Sequence, residues 1–198
     1  VGKGQLWEPL GGGTSYPLQH IYADETERKL YIAGRFKYAG DSLVNGLAFW
    51  NGTTFTTIGG GLPDAAYCQP TAYGICSSPG TIYPYHGNVF VSGSFHTNGP
   101  IYPLEDMARW DGIRWKECGP HDIGSVGFCE ANGELFGFGI FKDENHDSPM
   151  TFGRWNGTQF ERFGTEITFS SIGFRPYCVE FYKGEYYFGG NFQEPNGL

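Results

Sequence analysis

The chain has 198 residues, 32 of them glycine, with aromatics at 18% and a formal net charge of −8. That length supports one sizeable core and leaves little room for a second domain of ordinary size. The acidic balance supplies no basic stripe for phosphates, and no run approaches the ~20 apolar residues of a membrane span, so neither nucleic acid nor membrane insertion is expected.

The mixture of glycine and aromatics suits many short strands joined by tight turns, because aromatics fill pleated surfaces and glycine adopts the positive φ angles of turns. In chain order, the segment Gln5-Leu6-Trp7-Glu8-Pro9-Leu10-Gly11 reads as a strand running into a glycine turn. An alternating stretch from Leu18 to Ala23 follows, then LYIAGRF at Leu30 to Phe36, then AFWNG at Ala48 to Gly52 with Phe55 and Ile58-Gly59 behind it. The same order recurs twice in full. Ile82 to Tyr85, VFVSGSF at Val89 to Phe95 and ARWDG at Ala108 to Gly112 lead to Trp115 and Cys118-Gly119; Val126 to Glu130, LFGFGIF at Leu135 to Phe141 and GRWNG at Gly153 to Gly157 lead to Phe160 and Phe163-Gly164. A last copy begins with Cys178 to Phe181 and YYFGGNF at Tyr186 to Phe192. His86-Gly87, Asn132-Gly133 and Lys183-Gly184 mark hairpin turns between first and second strands, and the Asn-Gly and Asp-Gly pairs are read as type I′ turns between third and fourth.

Copies lie roughly 45 to 60 residues apart, the range of propeller blades. The expected fold is therefore all-β: a four-bladed β-propeller with four antiparallel strands per blade and the fourth blade split between the termini. The blades fall at about 17–62, 80–120, 124–165, and 176–198 plus 1–13. In this scheme Leu6, Trp7 and Leu10 belong to the strand that closes the ring or joins another subunit, with Trp7 standing for Phe55 and Leu10 for Ile58.

These Gly-x-Phe and Trp-[Asn/Asp]-Gly units resemble the blade repeats of kelch-like propellers in secreted and cell-surface proteins. The resemblance spans nearly the whole chain and implies a fold; it is unspecific for function, since propellers host lectins, enzymes, scaffolds and adhesins. The chain opens at Val1 without a charged-then-apolar leader and reads as a mature product or a fragment.

Repeated Trp50, Trp110 and Trp155, like Phe36, Phe95, Phe141 and Phe192, are expected to pack blade against blade rather than to stack sugars. Asn51-Gly-Thr53 and Asn156-Gly-Thr158 are glycosylation sequons in exposed turns. Asp143, Asn145 and Asp147 place oxygens at alternate positions of an acidic loop, an arrangement calcium favours but one read first as a solvated loop; no other cofactor is expected. Five cysteines lean towards an oxidising compartment. Cys68 and Cys76 would staple the long connection between the first two copies, and Cys118 sits where other copies carry a buried hydrophobe. Cys129 and Cys178 remain as a second pair, on innermost strands whose offsets from the following turns are read as differing by one, which would point them to opposite faces. The five histidines show no metal-ligand spacing.

The expected function is a secreted or cell-surface, non-enzymatic structural or adhesive propeller whose partners are other copies of itself or surface glycans, with filament formation through the split blade. A carbohydrate-binding module is the alternative, with Tyr67, Tyr73 and Tyr102 as candidate contacts, and a glycan-active hydrolase is the third reading.

Overall fold

The computed structural model describes residues 9–62, 78–97, 104–118, 126–142, 149–163 and 175–191. Among these there is no helix, and the strands form antiparallel sheets that follow one another along the chain. The first sheet contains β1 (Leu18–Asp24) and β2 (Lys29–Gly34); a small hairpin of β3 (Tyr38–Ala39) and β4 (Ser42–Leu43) interrupts it before β5 (Leu47–Trp50) and β6 (Phe55–Thr57). The second contains β7 (Ser78–Tyr85), β8 (Asn88–Thr97), β9 (Leu104–Trp110) and β10 (Trp115–Glu117). The third contains β11 (Gly127–Ala131), β12 (Glu134–Lys142), β13 (Pro149–Trp155) and β14 (Phe160–Arg162), and the last is the pair β15 (Arg175–Tyr182) and β16 (Glu185–Asn191).

Turn chemistry explains the local folding. His86-Gly87, Asn132-Gly133 and Lys183-Gly184 all have positive φ at both residues, as a two-residue type I′ turn requires. The Trp-Asn/Asp-Gly elements behave differently from expectation. Their strands pair Trp50 with Phe55, Trp110 with Trp115 and Trp155 with Phe160, so the loops 51–54, 111–114 and 156–159 are longer than a two-residue turn. Only the glycine takes positive φ there. The Asn or Asp instead folds its side chain back: Asn51 Oδ1 accepts from the Thr53 and Thr54 amides, both at 2.9 Å, and Asp111 and Asn156 do the same at 2.8–3.0 Å. A short side-chain oxygen satisfies two amides that a tighter hairpin would have paired otherwise.

Alternation along the strands gives each sheet two faces, and the register is the same in all four. One face carries the second residue of the repeated motif and its partner: Tyr31 opposite Tyr22, Phe90 opposite Tyr83, Phe136 opposite Cys129, Tyr187 opposite Glu180. The other carries Ile21, Ile82, Phe128 and Val179. Each sheet packs the first kind of face on the second kind of the next sheet, which yields three apolar clusters in series. Tyr31, Ala33 and Leu47 meet Ile82, Val89 and Val91; Phe90 meets Phe128 and Leu135; Phe136 and Phe152 meet Val179, Phe181 and Phe188.

A glycine turn completes the outer half of the first joint. Ile58-Gly59-Gly60-Gly61 closes with Gly61 N–H donating to Ile58 O at 2.8 Å, and a Cβ at Gly59 would overlap the Trp110 ring. Leu10-Gly11-Gly12-Gly13 repeats it, with Gly13 N–H to Leu10 O at 2.8 Å and the Trp50 ring against Gly11. Trp50 and Trp110 thus pack on glycine turns between successive units, as the sequence led us to expect, although Leu10 itself is exposed where Ile58 is buried.

Candidate binding cleft

The first joint does not close along its whole length. At the end bearing the β1–β2 and β7–β8 turns it opens into a cleft of about 670 Å³ between the first two sheets. One position of its lining departs from the repeat. The residue before each repeated tryptophan is Phe49, Arg109 or Arg154. Arg109 lies over Trp155 at 5.2 Å and donates to Asn88 Oδ1 at 2.9 Å, while Arg154 lies over Phe163 at 5.2 Å and pairs with Glu134 at 3.1 Å and Glu161 at 3.3 Å. Arg109 thus reaches across the second joint, whereas the partners of Arg154 all lie on its own sheet. Phe49 instead lines the cleft beside Trp110.

Aromatic side chains of both sheets wall this space: Tyr31 and Phe49, 5.9 Å apart, on the first sheet and Trp110 on the second. Tyr85, at its turn end, directs its ring to the second joint and donates to Gly133 O at 2.8 Å. The rim is acidic. Asp24, Glu27 and Glu130 line the cleft with Lys29 as the one ammonium on its lining. Lys29 is itself held, 3.3 Å from Glu27 and 4.9 Å above the Phe49 ring. Burial, then the charges of Asp24 and Glu27, push the Tyr31 hydroxyl up to about 12, so it stays a neutral donor at any ordinary pH. Thr57, on β6, contributes to the lining, but its register opposite Ala48 sets its side chain on the other face of the sheet, with Ile32 and Phe55, where its Oγ1 is buried without a hydrogen-bond partner.

The residues singled out from sequence fall elsewhere. Asn51 and Asn156 are exposed at loop tips, with Oδ1 engaged as described and the Asn156 Nδ2 3.3 Å from Glu161. Cys118 is buried, and burial pushes its thiol well above the usual range. Cys129 and Cys178 are both free thiols. They stand three and five residues before their turns, an even difference, so both point to the same side of their own strands. Cys129 therefore faces the last sheet, and Cys178 faces away from Cys129, its Sγ 3.8 Å from Gly189 O. The expected opposite orientation rested on a miscount, and no disulfide joins the two.

Cys68, Cys76, Leu6, Trp7, Asp143, Asn145, Asp147, Tyr67, Tyr73, Tyr102 and Phe192 lie outside the described residues, as does the side chain of Phe141. Among the described residues no three His, Cys, Asp or Glu gather into a metal-holding group. Trp110 is the residue that sequence reasoning assigned to packing alone; it does pack, and it also walls the cleft. Comparison with protein families, with characterised proteins and with solved structures finds no match to this chain.

Proposed function

We propose that the chain is a propeller-type, extracellular adhesive module that works by binding rather than by catalysis, and that it holds a neutral saccharide in the cleft between its first two sheets. The propeller reading is supported by four sheets in sequence order, each presenting the same face to the next. The binding reading is carried by one observation: aromatic walls and an acidic rim converge on one cleft. A pyranose ring has apolar C–H faces that stack on aromatics and hydroxyl edges that hydrogen-bond to carboxylates and tyrosines. The excess of carboxylates disfavours acidic sugars and other anions.

Trp110 supplies the readout, since its fluorescence should change when the cleft fills. A panel of neutral oligosaccharides is expected to include one that quenches or shifts this signal, with Phe49→Ala weakening it about ten-fold, the effect of one lost stacking face of ~1.4 kcal/mol. Because Phe49 is partly buried, thermal unfolding of the free variant separates lost stacking from lost stability. Binding of acidic glycans only, or of no glycan, ends this reading.

A further inference from the structure

Four copies of one packing unit should contain equivalent residues in equivalent surroundings, and at two positions they do not. The second residue of the repeated motif is aromatic in every copy; its exposure is 6% at Tyr31, 0% at Phe90 and 0% at Phe136, but 51% at Tyr187. Its counterpart on the opposite face of the innermost strand is apolar in every copy; its exposure is 0% at Ile82, 7% at Phe128 and 5% at Val179, but 53% at Ile21. The three buried pairs are the centres of the three joints: Tyr31 with Ile82, Phe90 with Phe128, Phe136 with Val179. Tyr187 and Ile21 are the two halves of a fourth joint, each without the other.

Their surroundings are prepared in the same way. On the last sheet Tyr187 is paired edge-to-face with the exposed Tyr182, ring centres 6.3 Å apart, and its hydroxyl is steadied by Glu185 at 3.1 Å. On the first sheet the outer half of the joint is already assembled, because the Gly11 turn sits on Trp50 and Phe55 as the Gly59 turn sits on Trp110 and Trp115. What is lacking is the inner half, around Ile21, where the other three sheets receive the aromatic face of a neighbour.

We infer that the Tyr182–Tyr187 face of one molecule packs on the Ile21 face of a second copy, in a head-to-tail contact that reproduces the three internal joints. The occupant is specified by continuity with those joints: the face that fits beside Ile21 is one carrying an aromatic at the second motif position, and the chain's own unfilled face of that kind is the one around Tyr187. The contact is heterologous, two different surfaces meeting, so it propagates into a ring or a filament according to whether the rotation per step closes. Exposed apolar positions of this kind otherwise invite unspecific association. The inference stands independently of the saccharide cleft, which lies at a different joint.

Sedimentation velocity over a range of protein concentrations tests it. The parent chain is expected to associate reversibly, its average mass rising with concentration. Ile21→Asp and Tyr187→Asp each remove one half, and each alone should remain monomeric, with association weakened about ten-fold or more. Mixed in equal amounts the two variants still hold one intact half each, so they should form a dimer and stop there. Because both residues are exposed in the monomer, thermal unfolding of the monomeric variants should match that of the parent. A parent that stays monomeric at every concentration, with an unfolding temperature lowered by either substitution, would show that the two faces meet within one chain and would overturn the proposal. So would variants that associate as the parent does, or a mixture that stays monomeric.

Discussion

The first joint and the third are built from the same register, yet one opens into a cleft at its turn end and the other is bridged by a hydrogen bond from Tyr186 to Glu134. Between the third and fourth sheets Phe136 stacks on Phe152 at 5.1 Å and meets Phe163 and Tyr186 edge-on at 5.2 and 5.3 Å. Arg154 covers that aromatic packing and shares Glu134 with the Tyr186 hydroxyl, which reaches Glu134 Oε2 at 2.5 Å. Between the first two sheets the buried core is mainly aliphatic, with Ala33, Leu47, Ile82, Val89 and Val91 around Tyr31, and Phe49 takes the place of the arginine. One repeat can therefore pack its joints in different ways, and the residue before the tryptophan, at the edge of the core, is one position at which they differ.

The sharpest way to break the third joint is Phe136→Ala. A fully buried ring in contact with the aromatic rings of Phe152, Phe163 and Tyr186 should cost about 3–5 kcal/mol when truncated, since the neighbours on two sheets cannot both collapse into the space. Denaturant unfolding followed by tryptophan fluorescence would measure it. The matching loss at the first joint, spread over smaller side chains, should be smaller for any single truncation.

A second substitution acts at the position where the joints differ. Phe49→Arg places a guanidinium where Arg109 and Arg154 stand in their own sheets, within reach of the Trp110 face. The cleft should close, and saccharide binding should fall by ten-fold or more, a change of at least ~1.4 kcal/mol. Stability should shift by less than that, because Phe49 is only partly buried. Titration with the saccharide and thermal unfolding on the same variant separate the two effects. Binding that survives the arginine would show that the residue before the tryptophan does not shape the cleft.

Much of this arrangement could be read from the chain laid against itself. The aromatic at the second motif position, the two-residue turns at His86, Asn132 and Lys183, and the kinship of Leu10-Gly11 with Ile58-Gly59 all express local backbone demands or a face that must be buried, and each leaves a recurrent mark. The loops after Trp50, Trp110 and Trp155 were misread because Asn-Gly satisfies both a two-residue hairpin and a longer loop capped by its side chain; which one forms is decided by strand register, a non-local property. The cleft was invisible for a related reason. Its walls come from different copies, and one of them, Phe49, is a departure from the repeat: AFW where the others read ARW and GRW. A comparison that looks for agreement between copies passes over the positions where they disagree.

The mildest test leaves neutral solution untouched and separates the joints by alkaline titration. Burial and the carboxylates of Asp24 and Glu27 raise the Tyr31 hydroxyl from 10.0 to about 12. In the unfolded chain the same group ionises near its ordinary value, so above pH ~10 the unfolded state loses a proton that the folded state keeps, and folding is opposed until pH ~12. The stabilising difference is therefore fully present below pH ~10 and is lost as the pH climbs through that window. Tyr31→Phe removes the term, so the stability of the variant relative to the parent should rise between pH ~10 and ~12 and be flat below. Its partial loss in Glu27→Gln, with no corresponding response in Glu134→Gln, would tie the effect to the open joint; equal responses in both would mean that the acidic rim of the cleft does not act on Tyr31.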